Sequence, residues 1–164
     1  MNPDNSAQSR SAKALAFLRI CVGILFLIFA QYKVFGLQFT LHGGFQFWIN
    51  KFLEEGAYPF MAPVLRELVL PHATFFAFLV AYGELAIGIA LLCGVCVRIA
   101  SAFGFLFMLT LLFLSNYPGP HAPLWQYFGA SLDHSVLALC FMAFLLGESA
   151  SVWSLAAFKR NRRP

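Results

Sequence analysis

The sequence predicts an all-α integral membrane protein: a four-helix bundle with both termini on one side and a short amphipathic helical segment in its first external loop. Three observations carry that expectation. Of the 164 residues 60% are hydrophobic and 11% charged, with a mean hydropathy of +0.75, whereas a soluble domain is about 25% charged. Four apolar stretches come close to the roughly 20 residues that cross a bilayer as a helix. Lys and Arg gather at one set of helix ends. So little charge cannot coat a soluble surface. It also excludes a disordered chain, collagen, a nucleic-acid-binding domain and a disulfide-stapled secreted scaffold.

Taken in order, residues 1–13 (MNPDNSAQSRSAK) are polar and read as a disordered lead-in to a membrane domain over 14–158, followed by a basic tail at 159–164. The first span runs from Ala14 to Phe35. Its apolar core is too long for a cleaved leader, and no small-x-small site follows it. The second runs from His72 to Val97 after Pro71, the third from Ile99 to Asn116 before Pro118-Gly119-Pro120, and the fourth from Leu132 to Gly147 with an extension to Phe158 left open. The spans are apolar all round, as helices bathed in lipid are. Alternation of the kind a barrel needs is absent.

Between the first two spans, FQFWINKFLEEGAYPFMAPVLREL interleaves apolar positions with Lys51, Glu54, Glu55, Arg66 and Glu67. It reads as one or two interfacial amphipathic helices broken at Pro59 and Pro63. The segment at 117–131 is turn-rich, with Trp125 and Tyr127 expected as interfacial anchors. Arg10, Lys13, Arg19, Arg98, Lys159, Arg160, Arg162 and Arg163 fall on the side of the termini, against Lys33, Lys51 and Arg66 on the other. The positive-inside rule then puts both termini in the cytoplasm.

The candidate functional residues are those that are costly to bury. Glu84 lies near the middle of the second span, where an acid costs about 2.5–3.5 kcal/mol on insertion scales. It must be protonated, paired or turned to a polar cavity, and a structural anchor and a proton or substrate site are both open readings. Gly88, one turn on, invites a close neighbour. Ala86, Ala90 and Gly94 form a small-residue row on the opposite face, which predicts tight packing there too. Lys33 lies about 8 Å outward of Glu84 and Arg19 about 12 Å inward, so Lys33 is the better partner. Either cation could instead snorkel to its own interface.

Asp133 and His134 pose a length problem. A fourth helix starting after them is too short for the bilayer, so an earlier start that draws both into the outer leaflet is preferred over Ser131 as the cap. Lys33, Asp133 and His134 could then cluster above Glu84. The competing reading makes Asp133 a favourable charge in the first helical turn. His42, His72, His121 and His134 share the external side without ligand-like spacing, so no metal site is expected. Cys93-Gly-Val-Cys96 has the spacing of thiol redox enzymes, but lies at the end of an apolar helix; packing is the preferred role, as for Cys21 and Cys140.

The stretch RICVGILFLIFAQYKVFG resembles the DoxX family's pattern of an Arg, a glycine one turn on and a Lys near the outer end. GELAIGIALLCGVCVRIASAFGFLFML is similar to that family's second and third spans, with Glu84, Gly88, Gly94 and Arg98 at its E-x3-G-x5-G-x3-R positions. Gln31 replaces a usual glycine, Asp133-His134 replaces a Gly-Gly-x-Glu-like start, and the CGVC cysteines lie outside the pattern. The resemblance implies a small four-helix bacterial inner-membrane protein related to a subunit of thiosulfate:quinone oxidoreductase. It marks Arg19, Lys33, Glu84 and Arg98 as family positions, with Arg19 and Arg98 as candidate cofactor-binding residues of unassigned role.

Under this reading the chain is an accessory or anchoring subunit of a quinone-linked redox complex, with redox-complex subunits, membrane lipid and a second copy of itself as candidate partners. It carries no cofactor motif of its own. Glu84, with Lys33 or Asp133 and His134, would exchange the protons of a quinone. A non-redox transporter or a membrane scaffold is the alternative.

Overall fold

The structure, a computed structural model, describes residues 3–160. Its helices, in order, are α1 (Pro3–Phe35), α2 (Gly44–Glu54), α3 (Met61–Val64) running into a π-helical turn (Leu65–Val69), α4 (Ala73–Cys93), α5 (Val97–Leu114), α6 (Leu124–Gly129), α7 (Leu132–Leu146) and α8 (Leu155–Arg160). Among the described residues there is no strand. Three helices are long and apolar enough to cross a membrane, at Ser9–Phe35, Ala73–Cys93 and Val97–Leu114, and a shorter apolar helix joins them at Leu132–Leu146. A backbone that must satisfy its own hydrogen bonds in lipid leaves helices as the available solution. The outer surface carries Phe17, Phe29, Phe75, Phe103, Leu106 and Leu139, all more than half exposed. A multi-pass membrane protein requires that distribution, because lipid rather than water covers those faces.

The bundle is two helix pairs: α1 lies along α4 and α5 along α7, with slimmer contacts joining α4 to α5 and α1 to α7. Two glycines explain how α1 and α4 come so close. A Cβ on Gly23 would stand 2.9 Å from the Leu92 nitrogen and 3.2 Å from the Gly88 oxygen; one on Gly88 would stand 2.9 Å from the Leu27 side chain. Small residues let backbones approach where lipid supplies no hydrophobic drive between helices. Gly23→Leu is therefore expected to push the two backbones apart and destabilise the fold by about 1–3 kcal/mol, read as a lower denaturant midpoint in detergent. The second pair closes over Phe141, which is fully buried, packs edge-on to Phe26 with centroids 5.3 Å apart, and sits against Gly104.

Several elements differ from the sequence expectation. Helix α1 begins at Pro3 rather than Ala14, because an established helix extends through a polar stretch at little cost per residue. Of the expected basic tail, residues 161–164 lie outside the described residues. Helix α7 starts at Leu132 with Ser131 at its N-cap position, so the preferred earlier start is incorrect. Its 15 residues span about 22 Å, and short helices are accommodated by local thinning and by flanking residues. The chain bends at Gly147, which is extended, so the fourth span does not continue to Phe158. Pro63 does not break the loop helix either. It sits in the first turn of α3, where its missing N–H has no partner to lose; the break falls at 55–60.

The loops form a cap over one end of the bundle. Phe45 and Ile49 of α2 and Leu65 and Val69 of the π turn point inward and join Ala73, Ala77 and Ala81 of α4 in one apolar cluster. The buried Tyr58 ties the two loops together: its N–H donates to Phe113 O at 3.2 Å and its hydroxyl to Tyr127 O at 3.2 Å. Burial, reinforced by Tyr127 and Tyr117, pushes the Tyr58 phenol above its ordinary range. Trp125 is exposed as an anchor would be, but Tyr127 turns inward and donates to Gly119 O at 2.7 Å.

Candidate functional site

The expected polar residues divide into two groups, one centred on the middle of α4 and the other at its C-terminal end. In the first, Lys33, from the last turn of α1, reaches inward to the middle of α4, and its Nζ donates to both carboxylate oxygens of Glu84 at 2.6 and 2.7 Å. Glu84 is 6% exposed and the Lys33 side chain 12%. The ammonium also lies 5.1 Å from the centre of the Phe39 ring, close enough for a cation–π attraction. A charge this deep is tolerable only when paired. The approach that Gly23 and Gly88 permit is what brings the two within reach.

Three spaces meet at this pair. A cavity of about 400 Å³ lies beneath α2, α3 and the π turn, with Phe39, Trp48, Phe76 and Phe107 among its walls and Lys33, Glu84 and His134 among its lining residues. A smaller one of about 220 Å³, between α1, α5 and α7, is lined by Lys33, Glu84, Asp133 and His134 together with apolar residues. The third, about 540 Å³, runs between α4 and α5 and touches Glu84. The volume of the first lies in the range of small-molecule sites, and its apolar walls with a few convergent polar groups are typical of them. His134 is three-quarters buried; its Nδ1 stands 3.4 Å from Asp133 Oδ1 without the alignment of a hydrogen bond, while Asp133 itself is 73% exposed. The expected grouping of Lys33, Asp133 and His134 with Glu84 thus exists as shared cavity lining, despite the later start of α7.

Arg19 belongs to the second group. It is fully buried and pairs with no acid among the described residues. One guanidinium nitrogen donates to Leu91 O at 2.6 Å and another to Trp153 O at 2.7 Å. Leu91 is in the last turn of α4, where carbonyls run out of helical donors. The helix ends on Gly94 with φ 69, in the left-handed region, and a Cβ there would collide with Ser154 and with the Arg19 guanidinium. So Arg19 neither pairs with Glu84 nor snorkels: it clamps α1, the end of α4 and the 147–154 segment. Arg98 is exposed at the start of α5 and lines none of the cavities around Glu84.

The small-residue row is packed only toward its end: Gly94 is buried against Ser154 and Arg19 and Ala90 lies partly against the core, but the tight packing expected at Ala86 is absent. Ala86 is exposed, and both it and Ala90 form part of the space between α4 and α5. The Cys93-Gly-Val-Cys96 stretch forms the turn between these helices, and all four cysteines are free thiols. His42, His72 and His121 are exposed in the loops or at the start of α4, and no group of metal-ligating residues forms among the described residues. Sequence reasoning misses the aromatic walls, Phe39, Trp48, Phe76 and Phe107. In a chain with 20 Phe, aromatic content alone carries no signal for a cavity.

Comparison with curated proteins and with solved structures returned no match in either case. The DoxX family profile matches residues 14–116, which covers α1 from residue 14 onward, the first loop, α4 and α5 and includes Arg19, Lys33, Glu84 and Arg98. With more than half of its length matched, including both members of the buried ion pair and Arg19, the chain belongs to the DoxX family.

Proposed function

We propose that this protein is an accessory or anchoring subunit of a quinone-linked redox complex in a bacterial inner membrane, with both termini in the cytoplasm. In this reading the 400 Å³ cavity receives the head of the quinone. The observation that supports it best is a charged pair held in the membrane at the edge of an aromatic-walled space of ligand size. Lys33 Nζ donates a hydrogen bond to a ring carbonyl, and the Glu84 carboxylate takes a proton when the bound quinol is oxidised, or returns it when the quinone is reduced. His134 and the exposed Asp133 link that carboxylate to the external aqueous side through the smaller cavity. A partner subunit accepts the electrons when quinol is oxidised and supplies them when quinone is reduced, in keeping with the absence of a cofactor motif in the sequence.

The test is quinone-dependent electron transfer by the complex purified in mild detergent. Glu84→Gln keeps the size and a hydrogen-bonding group but cannot accept the proton, and is expected to lower turnover by about 100-fold, as loss of general acid–base catalysis does, while the subunit still assembles. Unchanged turnover would rule out the proton role. A purified complex that contains neither a redox subunit nor quinone would favour the scaffold or transporter reading instead.

A further inference from the structure

The space between α4 and α5 is a trough open to the side of the bundle. Leu79, Gly83, Ala86 and Ala90 line it along α4, over about 16 Å of helix, and Ile99, Phe103 and Phe107 line it along α5. Its walls are apolar, and a Cβ added to Gly83 would meet nothing within 4 Å. Leu79, Ile99 and Phe103 stand more than half exposed at its rim. Val80, Glu84 and Phe107 line both this trough and the cavity beneath the loops. A molecule lying in both would have its polar end beside the ion pair and its apolar part pointing sideways into lipid.

We infer that the α4–α5 trough holds the isoprenoid or alkyl tail of the amphiphile whose head occupies the loop-capped cavity, and that it is the lateral route by which that molecule enters from the bilayer. This rests on the head site proposed above. The shape favours a chain over a second copy of the protein: a helix about 10 Å across would fill 540 Å³ with little more than one turn. The small residues on α4 have a purpose in this arrangement. Gly83, Ala86 and Ala90, unlike Gly88 on the α1 side, form the floor of a channel whose depth depends on the absence of side chains.

The test compares binding of a long-chain benzoquinone and its tail-less counterpart to the detergent-purified protein, followed by quenching of tryptophan fluorescence. Trp48 lines the head cavity and reports directly. Ala86→Phe and Ala90→Phe fill the trough, while Ile89→Phe, on the exposed lipid side of α4, serves as the control. The expected result is a loss of about tenfold or more in affinity for the long-chain quinone in both trough variants, with the tail-less quinone unaffected and the control binding both normally. If the tail-less quinone binds and trough filling alters neither affinity, the tail route is wrong and the head site stands. If the variants instead shift the oligomeric mass, the trough is an interface between copies and the inference is overturned. If neither quinone binds the unmodified protein, the head site fails and the tail route with it.

Discussion

Glu84→Leu, with Lys33 left in place, is expected to destabilise the protein by about 3–5 kcal/mol, the cost of stranding one member of a buried pair. Lys33 extends to a carboxylate at the centre of α4 from a position only two residues before the end of α1. Without that carboxylate the ammonium must withdraw toward the interface and leave apolar surroundings empty, or stay desolvated. The double variant Lys33→Met with Glu84→Leu is expected to recover most of the loss, because an apolar pair of similar volume needs no charge compensation. The midpoint of denaturation in mixed detergent micelles reads both. A double variant no more stable than Glu84→Leu alone would mean that the pair is not what holds these two helices in register. Recovery of stability without recovery of quinone-dependent turnover would separate the structural from the chemical role of the pair.

Arg19→Leu carries the second large effect. Its two donors serve carbonyls from different parts of the chain, 72 and 134 residues away. Hydrogen bonds to a charged group are worth about 1.5–3 kcal/mol each, so the expected loss is about 3–5 kcal/mol. The segment at 147–154 should become the first site of proteolytic cleavage, since Trp153 O loses its tie to α1. Arg19→Lys is expected to restore less than half of the loss. A single ammonium lacks the planar fork that reaches two carbonyls at once. Full rescue by lysine would show that position 19 contributes charge rather than a bridge.

Membrane insertion and the all-helical class are legible in the amino-acid sequence, because both follow from composition and span length, which need no knowledge of neighbours. The same holds for Glu84 and its partner. A carboxylate in hydrocarbon is so costly that it singles itself out, and counting residues along two antiparallel helices places Lys33 within reach. The DoxX resemblance points to the same positions.

Other features are decided only when the helices pack. Arg19 is visible in the sequence but its carbonyl partners are not, because carbonyls are on every residue and only tertiary contact selects Leu91 and Trp153. Ala86 and Ala90 have the spacing of a packing seam, yet both line an open space between α4 and α5; spacing records which residues are small, not whether a neighbour arrives. Ser131 and the start of α7 depart from expectation for the opposite reason, since a minimum span was required of a helix that its longer neighbours can support. What burying a charge demands is a property of one side chain and its solvent, and so it is written in the chain. Where empty space lies between helices depends on all of them at once, and no local stretch of residues encodes it.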